Sequence, residues 1–165
     1  HAIHTRSRDR ATSLADHYRK SPMTYADSSV IVKRYYEELG TERVRERFAG
    51  AERVFTSRLA YAEVHAALAR KRRERAISEP AYRRSASAFE SDWPAYDQIA
   101  LDAATLGVVP RLVRQYSLRG ADAVHLAAAL WLREHAGNPL DLWASDDRLV
   151  DVARHERLAA VNPEA

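Results

Sequence analysis

Four acidic residues of this sequence have mainly apolar neighbours instead of belonging to charged runs. They are Asp27 in YAD, Glu63 in LAYAEVHAAL, Asp122 in RGADAVHLAAAL and Asp146 in ASDDRL. A buried carboxylate is costly unless it is paired, hydrogen-bonded or bound to a metal, and gathered carboxylates raise one another's pKa. A divalent cation offsets that repulsion, and oxygen-only coordination suits Mg²⁺ or Mn²⁺. Such an ion activates a water for in-line attack on a phosphodiester.

Taken singly, three of these acids have simpler explanations. Asp122 heads a helix, where a carboxylate satisfies free backbone N–H groups and the helix dipole. Asp27 is a turn-forming residue type, and Asp146 is placed to cap the helix that follows it. The metal hypothesis therefore depends on whether one fold brings the acids together.

The segment 58–75 contains Glu63 and ends in a basic run. It has no glycine or proline and is rich in strong helix formers, so it predicts a long helix. On such a helix Glu63 is alternatively an exposed residue paired with Arg58 or Arg70. The basic run is either a solvated helix face or a surface for nucleic acid or a protein partner. Its candidate residues are Arg70, Lys71, Arg72, Arg73 and Arg75.

Short apolar segments alternate with helical patterns along the chain, which predicts an α/β fold with a mainly parallel sheet covered on both faces. The predicted strands are 23–27, 53–57, 95–102, 140–145 and 158–163. The predicted helices are 28–39, with Ser28 or Ser29 as the cap, 42–48, 58–75, 79–91, 102–116, 121–135 and 146–156. In a parallel sheet the ligand site lies beyond the carboxyl ends of the strands, where Asp27 and Asp146 are expected.

Composition narrows the class of protein. The 165 residues are 46% hydrophobic and 30% charged, which fits one globular domain over 23–165. The absence of cysteine excludes disulfides and thiolate metal sites and fits a reducing cytoplasm. No apolar run has the length of a membrane span. Residues 1–22 are polar and precede the only methionine, Met23, so we expect a non-core extension that is vector-encoded, translated from upstream sequence or a genuine N-terminal arm.

The ordered blocks YADSSVIVKRYY, LAYAEVHAAL, RGADAVHLAAAL, ASDDRL and VNP resemble the PIN-domain ribonucleases, particularly the VapC-type toxins of prokaryotic toxin–antitoxin pairs. The resemblance extends from Met23 to Pro163. It implies a three-layer α/β/α sandwich and an acidic pocket for Mg²⁺ or Mn²⁺. It also implies cleavage of RNA, inhibition by a cognate VapB-type antitoxin and, in many members, a homodimer.

The same resemblance assigns roles to individual residues. Asp27, Asp122 and Asp146 match metal-binding aspartates, and Glu63 matches the acid of the long helix, which binds metal directly or through water. The step to Leu149 favours Asp146 over Asp147, which stays the alternative. Ser28 is similar to the small hydroxyl residue that supports the first aspartate, and His125 is expected to be a hydrogen-bonded structural residue.

Three other functions are compatible with parts of the pattern. A non-toxin PIN-like nuclease acting on structured DNA or rRNA precursors would keep the same acids. A catalytically silent nucleic-acid-binding domain would lack one or more of them, whereas this chain has all four. A haloacid-dehalogenase-type phosphatase needs an aspartate two residues after the nucleophile, where this chain has Ser29.

Overall fold

The computed structural model describes residues 22–165, and within them five strands form one sheet. The predicted extension, residues 1–22, lies outside the described residues except for Pro22. The strands are β1 (Met23–Ala26), β2 (Val54–Ser57), β3 (Asp97–Ile99), β4 (Leu140–Trp143) and β5 (Ala159–Val161). The helices are α1 (Ser28–Tyr35), α2 (Thr41–Gly50), α3 (Leu59–Arg73), α4 (Glu79–Asp92), α5 (Ala103–Leu106), α6 (Val109–Gln115), α7 (Gly120–Ala136) and α8 (Asp147–His155), with a 3₁₀ turn at Trp93–Ala95.

The sheet is entirely parallel, with the strand order β3-β2-β1-β4-β5. Tyr25 in the central strand β1 pairs with Phe55 of β2 on one side and Leu142 of β4 on the other. The chain therefore proceeds outward from β1 in one direction as far as β3 and resumes on the opposite side at β4. This reversal places the topological switch point, where α/β folds bind ligands, between the carboxyl ends of β1 and β4.

Both faces of the sheet are covered by apolar side chains. One core contains Tyr25, Leu126 and Leu142, and joins the sheet to α7. The other contains Ile31, Val64 and further residues of α1 and α3. The predicted α/β/α sandwich is thereby confirmed.

The helix α7 is buried along most of its length, which fixes its rotation relative to the sheet. Its alanine-rich sequence lets it pack closely against the strands, and Ala123, Leu126 and Ala127 are fully buried. It ends at Gly137, whose left-handed backbone (φ 65°) is the usual helix terminator. Since α7 carries Asp122 and His125, this packing also fixes where those two side chains lie.

The prediction of a single helix over 102–116 was wrong, because two short helices occupy that region. Asp102 and Thr105 form a reciprocal capping box at the start of α5. Pro110 lies in the first turn of α6. Proline lacks an N–H and its ring clashes with the carbonyl four residues earlier, here that of Leu106, so a continuous helix is excluded.

The entry to α2 depends on a glycine. Gly40 has a φ of 87°, in the left-handed region that side chains disfavour. A Cβ at this position would lie 3.0 Å from the backbone oxygen of Pro163. The C-terminal segment after β5 is therefore packed directly against the start of α2.

No helix within residues 22–165 combines the length and the apolar composition that crossing a bilayer requires.

Candidate functional site at the switch point

Asp27 lies directly after β1 and caps α1, so the predicted serine cap was wrong. Its Oδ1 accepts a hydrogen bond from the backbone N–H of Val30 (3.1 Å) and one from the Ser29 hydroxyl (2.6 Å). The Ser29 hydroxyl in turn accepts the backbone N–H of Ser145 at 3.0 Å, joining the ends of β1 and β4. The hydroxyl in contact with Asp27 is thus that of Ser29, and not that of Ser28.

The carboxylate of Asp27 is buried and forms no ion pair among the described residues. Only 4% of the residue is exposed to solvent. Burial raises the pKa of this carboxyl, and the nearby charge of Asp122 raises it further, whereas His125 and the hydrogen bonds from Ser29 and Val30 act in the opposite direction. Asp27 therefore needs a positive charge to ionise without cost.

Asp122 and Asp146 share an arginine. The Arg119 Nε lies 3.0 Å from Asp122 Oδ2, and its NH2 group lies 3.7 Å from Asp146 Oδ2. The hydrogen bond to Asp122 raises the pKa of the Arg119 guanidinium, and the charges of Asp146 and Glu63 raise it further. The helix-cap explanation of Asp122 was wrong, because its carboxylate accepts from this side chain and α7 has no side-chain cap.

The two aspartates of ASDDRL have different surroundings. Asp146 caps α8 by accepting the Leu149 N–H at 3.0 Å, as its sequence position suggested, while its other oxygen is near Arg119. Asp147 instead accepts a hydrogen bond from Asn162 Nδ2 at 2.7 Å. Of the two, Asp146 is the one joined to Asp122 through a shared cation.

Glu63 is held by a buried histidine, and not by Arg58 or Arg70. Its Oε1 lies 2.6 Å from His125 Nε2, and His125 Nδ1 lies 2.8 Å from the hydroxyl of Tyr25. A carboxylate only accepts, so Nε2 carries the proton; in a neutral imidazole Nδ1 then accepts from the Tyr25 hydroxyl. Burial, followed by the charge of Asp27, raises the pKa of Tyr25, which keeps that hydroxyl protonated.

The acidic side chains of this site satisfy only part of what a metal ion requires from its ligands. Residues 22–165 contain no group of three or more histidine, aspartate or glutamate side chains arranged to hold one ion together. Arg119 engages Asp122 and Asp146, and His125 engages Glu63, so protein groups already occupy these acids. Mg²⁺ nevertheless commonly binds through one or two carboxylates and several waters. The uncompensated Asp27 beside Asp122 meets that smaller requirement.

The basic run at the end of α3 divides into paired and unpaired residues. Lys71 forms an ion pair with Glu38 and lies over the ring of Tyr36, and Arg72 pairs with Glu79. Arg75 lies beyond the helix in a left-handed backbone conformation. Arg70 and Arg73 have no carboxylate within ion-pair distance among the described residues.

The family model of the PIN domain matches residues 24–155. The chain belongs to the PIN-domain family. It is 34% identical over 142 residues to Ribonuclease VapC45 of Mycobacterium tuberculosis, covering 86% of this chain and 96% of the relative. The resemblance of the sequence blocks to this family, and to its VapC-type members, is thus confirmed.

Solved structures share the PIN fold at lower identity. FitAcB from Neisseria gonorrhoeae superposes with a TM-score of 0.64 at 20% identity, covering 86% of this chain and 98% of that chain. A toxin–antitoxin complex from Klebsiella pneumoniae contains a chain that superposes with a TM-score of 0.61 at 14% identity. The match covers 85% of this chain and 97% of that chain.

Several contacts of this PIN site had no sequence signal strong enough to predict them. The spacing of Asp122 and His125 placed both on one helix face, but nothing indicated that His125 reaches Glu63 or Tyr25. Arg119 precedes Asp122 by three residues, a helix-neighbour spacing that could have suggested the pair.

Proposed function

We propose that this PIN-domain protein is a metal-dependent endoribonuclease, the toxin of a toxin–antitoxin pair. The observation that carries the proposal is the buried Asp27 carboxylate beside Asp122 at the switch point, which forms no ion pair among the described residues. A related protein of 34% identity along nearly its whole length is called a ribonuclease, which supports RNA as the substrate.

We assign the metal-holding role first to Asp27 and Asp122, with Asp146 and Glu63 contributing directly or through water. Asp147 is the less favoured fourth acid because Asn162 already holds it. A bound Mg²⁺ or Mn²⁺ would supply Lewis-acid chemistry, lowering the pKa of a water and offsetting charge at the phosphodiester.

The remaining polar residues position the acids. Ser29 orients Asp27, and its link to Ser145 keeps that orientation tied to β4. His125 fixes the rotamer of Glu63 through the hydrogen bond between its Nε2 and Glu63 Oε1. The histidine side chain in this pair is buried, whereas that of Glu63 is partly exposed. Arg119, whose side chain is largely exposed, balances the charge of Asp122 and Asp146.

We also propose a VapB-type antitoxin as the protein partner. One structural neighbour is a toxin–antitoxin complex, and the VapC-type relative supports the same type of pair. A homodimer is a further proposal, for which sedimentation of the purified protein is the direct measurement.

A cleavage assay with matched variants tests the enzyme proposal. Purified wild type is incubated with RNA in EDTA, Mg²⁺ or Mn²⁺, alongside Asp27→Asn, Asp122→Asn and the control Asp151→Asn on the exposed face of α8. We expect metal-dependent cleavage by wild type and the control only, and Mn²⁺ binding by calorimetry weakened in the first two variants. Equal cleavage by all four proteins refutes the assigned site, and cleavage of DNA in preference to RNA supports the non-toxin nuclease instead.

A growth assay tests the toxin assignment separately. Expression of residues 23–165 is expected to arrest growth, with rescue by co-expression of a cognate antitoxin, sought in a small reading frame beside this gene. Cleavage in vitro without growth arrest refutes the toxin role and leaves the nuclease activity intact.

A further inference from the structure

An exposed arginine at the start of α8 has its side chain held in one orientation. Arg148 is the second residue of that helix, and its Nε donates a hydrogen bond to the backbone oxygen of Ser117 at 2.9 Å. Ser117 lies in the segment between α6 and α7. Both terminal NH2 groups of the guanidinium are left without a hydrogen bond or an ion pair among the described residues.

The helix itself does not account for this arginine. A cation in the first turn of a helix lies near the positive end of the helix dipole, which disfavours it. The negative charge that such a position favours is supplied by Asp147 in the first turn and by the cap, Asp146. We therefore expect the charge of Arg148 to act on a ligand and not on the helix.

The guanidinium of Arg148 lies close to the acids. Arg148 follows Asp146 by two residues, and Ser117, which holds its side chain, precedes Arg119 by two. Two residues of chain span at most about 7 Å. Because Arg119 contacts both Asp122 and Asp146, Arg148 lies at the border of the acidic site. We call Arg119 and Arg148 together the α7–α8 rim.

The layers of the fold place this rim on the other side of the acids from α1 and α3. The helices α7 and α8 pack on one face of the sheet through a core that includes Leu126 and Leu149. The helices α1 and α3 pack on the opposite face. The acids lie at the edge of the sheet between the two layers, so a nucleic-acid strand that is cleaved there extends beyond them in two directions.

The acidic site by itself repels such a strand. Its one guanidinium, that of Arg119, accompanies four carboxylates, those of Asp27, Glu63, Asp122 and Asp146. Two of these carboxylates already offset the charge of the arginine. Cations beside the site must therefore attract the phosphates. A guanidinium with both NH2 groups free offers the paired donors that match the oxygens of a phosphate.

We propose that Arg148 binds an RNA phosphate close to the one that is cleaved, and that the strand continues from the acids across the α7–α8 rim. The inference rests on the proposed ribonuclease function and adds a direction in which the substrate extends. RNA is favoured over an acidic protein segment because the proposed reaction already places one phosphate at the acids. The neighbouring phosphates of the same strand are then near the rim, where Ser117 holds the guanidinium in place.

The test compares RNA binding by Arg148→Ala with that of two matched variants. Arg84→Ala removes an exposed arginine of α4 that has no ion pair in the described part of the chain. Arg148→Lys keeps the charge but not the paired donors. Affinity for a labelled 12-nucleotide single-stranded RNA of mixed sequence is measured by fluorescence anisotropy in EDTA, from 50 to 300 mM NaCl. EDTA removes the divalent metal, so that binding is measured without cleavage.

We expect Arg148→Ala to bind RNA about fivefold more weakly at the lowest salt concentration, which is the upper range for one exposed ion pair. Its slope of log affinity against log salt should fall in magnitude by about 0.7, the contribution of one phosphate contact on a single strand. Arg84→Ala should keep the wild-type affinity and slope. Arg148→Lys should keep the slope but bind more weakly than wild type. In Mg²⁺, Arg148→Ala should raise KM more than it lowers kcat.

Equal affinities and slopes for Arg148→Ala and Arg84→Ala overturn the proposal, even if wild type cleaves RNA. A lower Tm of Arg148→Ala with an unchanged slope assigns the arginine a purely structural role and overturns the proposal as well. Binding of Arg148→Lys as tight as that of wild type overturns the role of the paired donors.

The same assay with poly-glutamate separates RNA from an acidic protein partner. A loss of poly-glutamate affinity as large as the loss of RNA affinity in Arg148→Ala overturns the assignment to RNA. Absence of wild-type cleavage in Mg²⁺ and Mn²⁺, together with a salt slope that depends on Arg148, refutes the ribonuclease proposal and leaves the phosphate contact standing.

Discussion

Tyr25→Phe tests whether the buried contact to His125 holds Glu63 in place. The substitution removes one hydroxyl and keeps the ring, so it creates little cavity. Tyr25 has no solvent exposure and His125 has 1%, and their polar atoms are 2.8 Å apart. Water cannot replace the lost donor, so an imidazole nitrogen is left buried without its partner.

The expected cost follows from that burial. Leaving one buried polar atom unsatisfied costs about 1–3 kcal/mol. For a chain of this size, each kcal/mol lowers Tm by about 2–4 °C, so a cost near 2 kcal/mol lowers Tm by about 4–8 °C. Thermal unfolding followed by circular dichroism measures the loss. Because His125 then holds Glu63 less firmly, kcat should fall by up to about tenfold with little change in KM.

Tyr82→Phe is the matched control, because this hydroxyl has no hydrogen bond within the described residues. Its ring also keeps the contact with Arg72. We expect a stability change below about 0.5 kcal/mol, as for other surface substitutions. If Tyr25→Phe shifts Tm no more than the control does, the contact does not stabilise the site. Reduced Tm with unchanged kcat would mean that Glu63 is positioned by other groups.

Three further predictions concern charge and backbone. In metal-free buffer, burial raises the pKa of Asp27 above its unfolded value, so the contribution of this carboxyl to stability is greatest below about pH 3.9 and is lost as pH rises through the folded pKa. Urea unfolding should show that loss in wild type and in the control Asp151→Asn but not in Asp27→Asn, and parallel pH profiles for all three would contradict it. Arg119→Ala should tighten Mn²⁺ binding several-fold, as measured by calorimetry, because the arginine competes with the metal for the same carboxylates. Arg119→Lys keeps the positive charge and should not tighten binding. Weaker Mn²⁺ binding by the alanine variant would exclude that competition. Gly40→Ala should lower the free energy of unfolding by at least about 1–2 kcal/mol, measured by chemical unfolding, because Gly40 has a left-handed backbone. Gly50→Ala is the control and should be neutral, because an added Cβ there meets nothing within 4 Å. Similar losses at both positions would refute the claim that backbone strain at position 40 causes the loss.

Much of the framework could be predicted because its signals are local. The alternation of short apolar strands with helices predicted the α/β sandwich, and Asp27 directly follows β1 wherever that strand lies. The helix 121–135 was predicted nearly to its observed ends by glycine at both sides. The single helix predicted over 102–116 was wrong, because Pro110 interrupts a segment whose other residues favour a helix.

The contacts that the acids make could not be predicted without the tertiary structure. His125 and Glu63 are 62 residues apart, Tyr25 and His125 are 100 apart, and the backbone of Ser145 meets Ser29 across 116 residues. Such contacts depend on the rotation of each helix against the sheet and on strand register, which side-chain packing sets over the whole molecule. Helical periodicity alone gives the face of a residue, not the neighbour it meets.

The sequence by itself therefore determined the fold class, the four candidate acids and the edge of the sheet where two of them lie. Tertiary structure alone decided that Arg119 joins Asp122 to Asp146, and that Arg70 and Arg73 have no ion pair among the described residues while Lys71 does. The physical reason is that residue type and spacing specify local backbone structure, whereas the pairing of a charge depends on which distant side chain the packed core brings within a few ångströms of it.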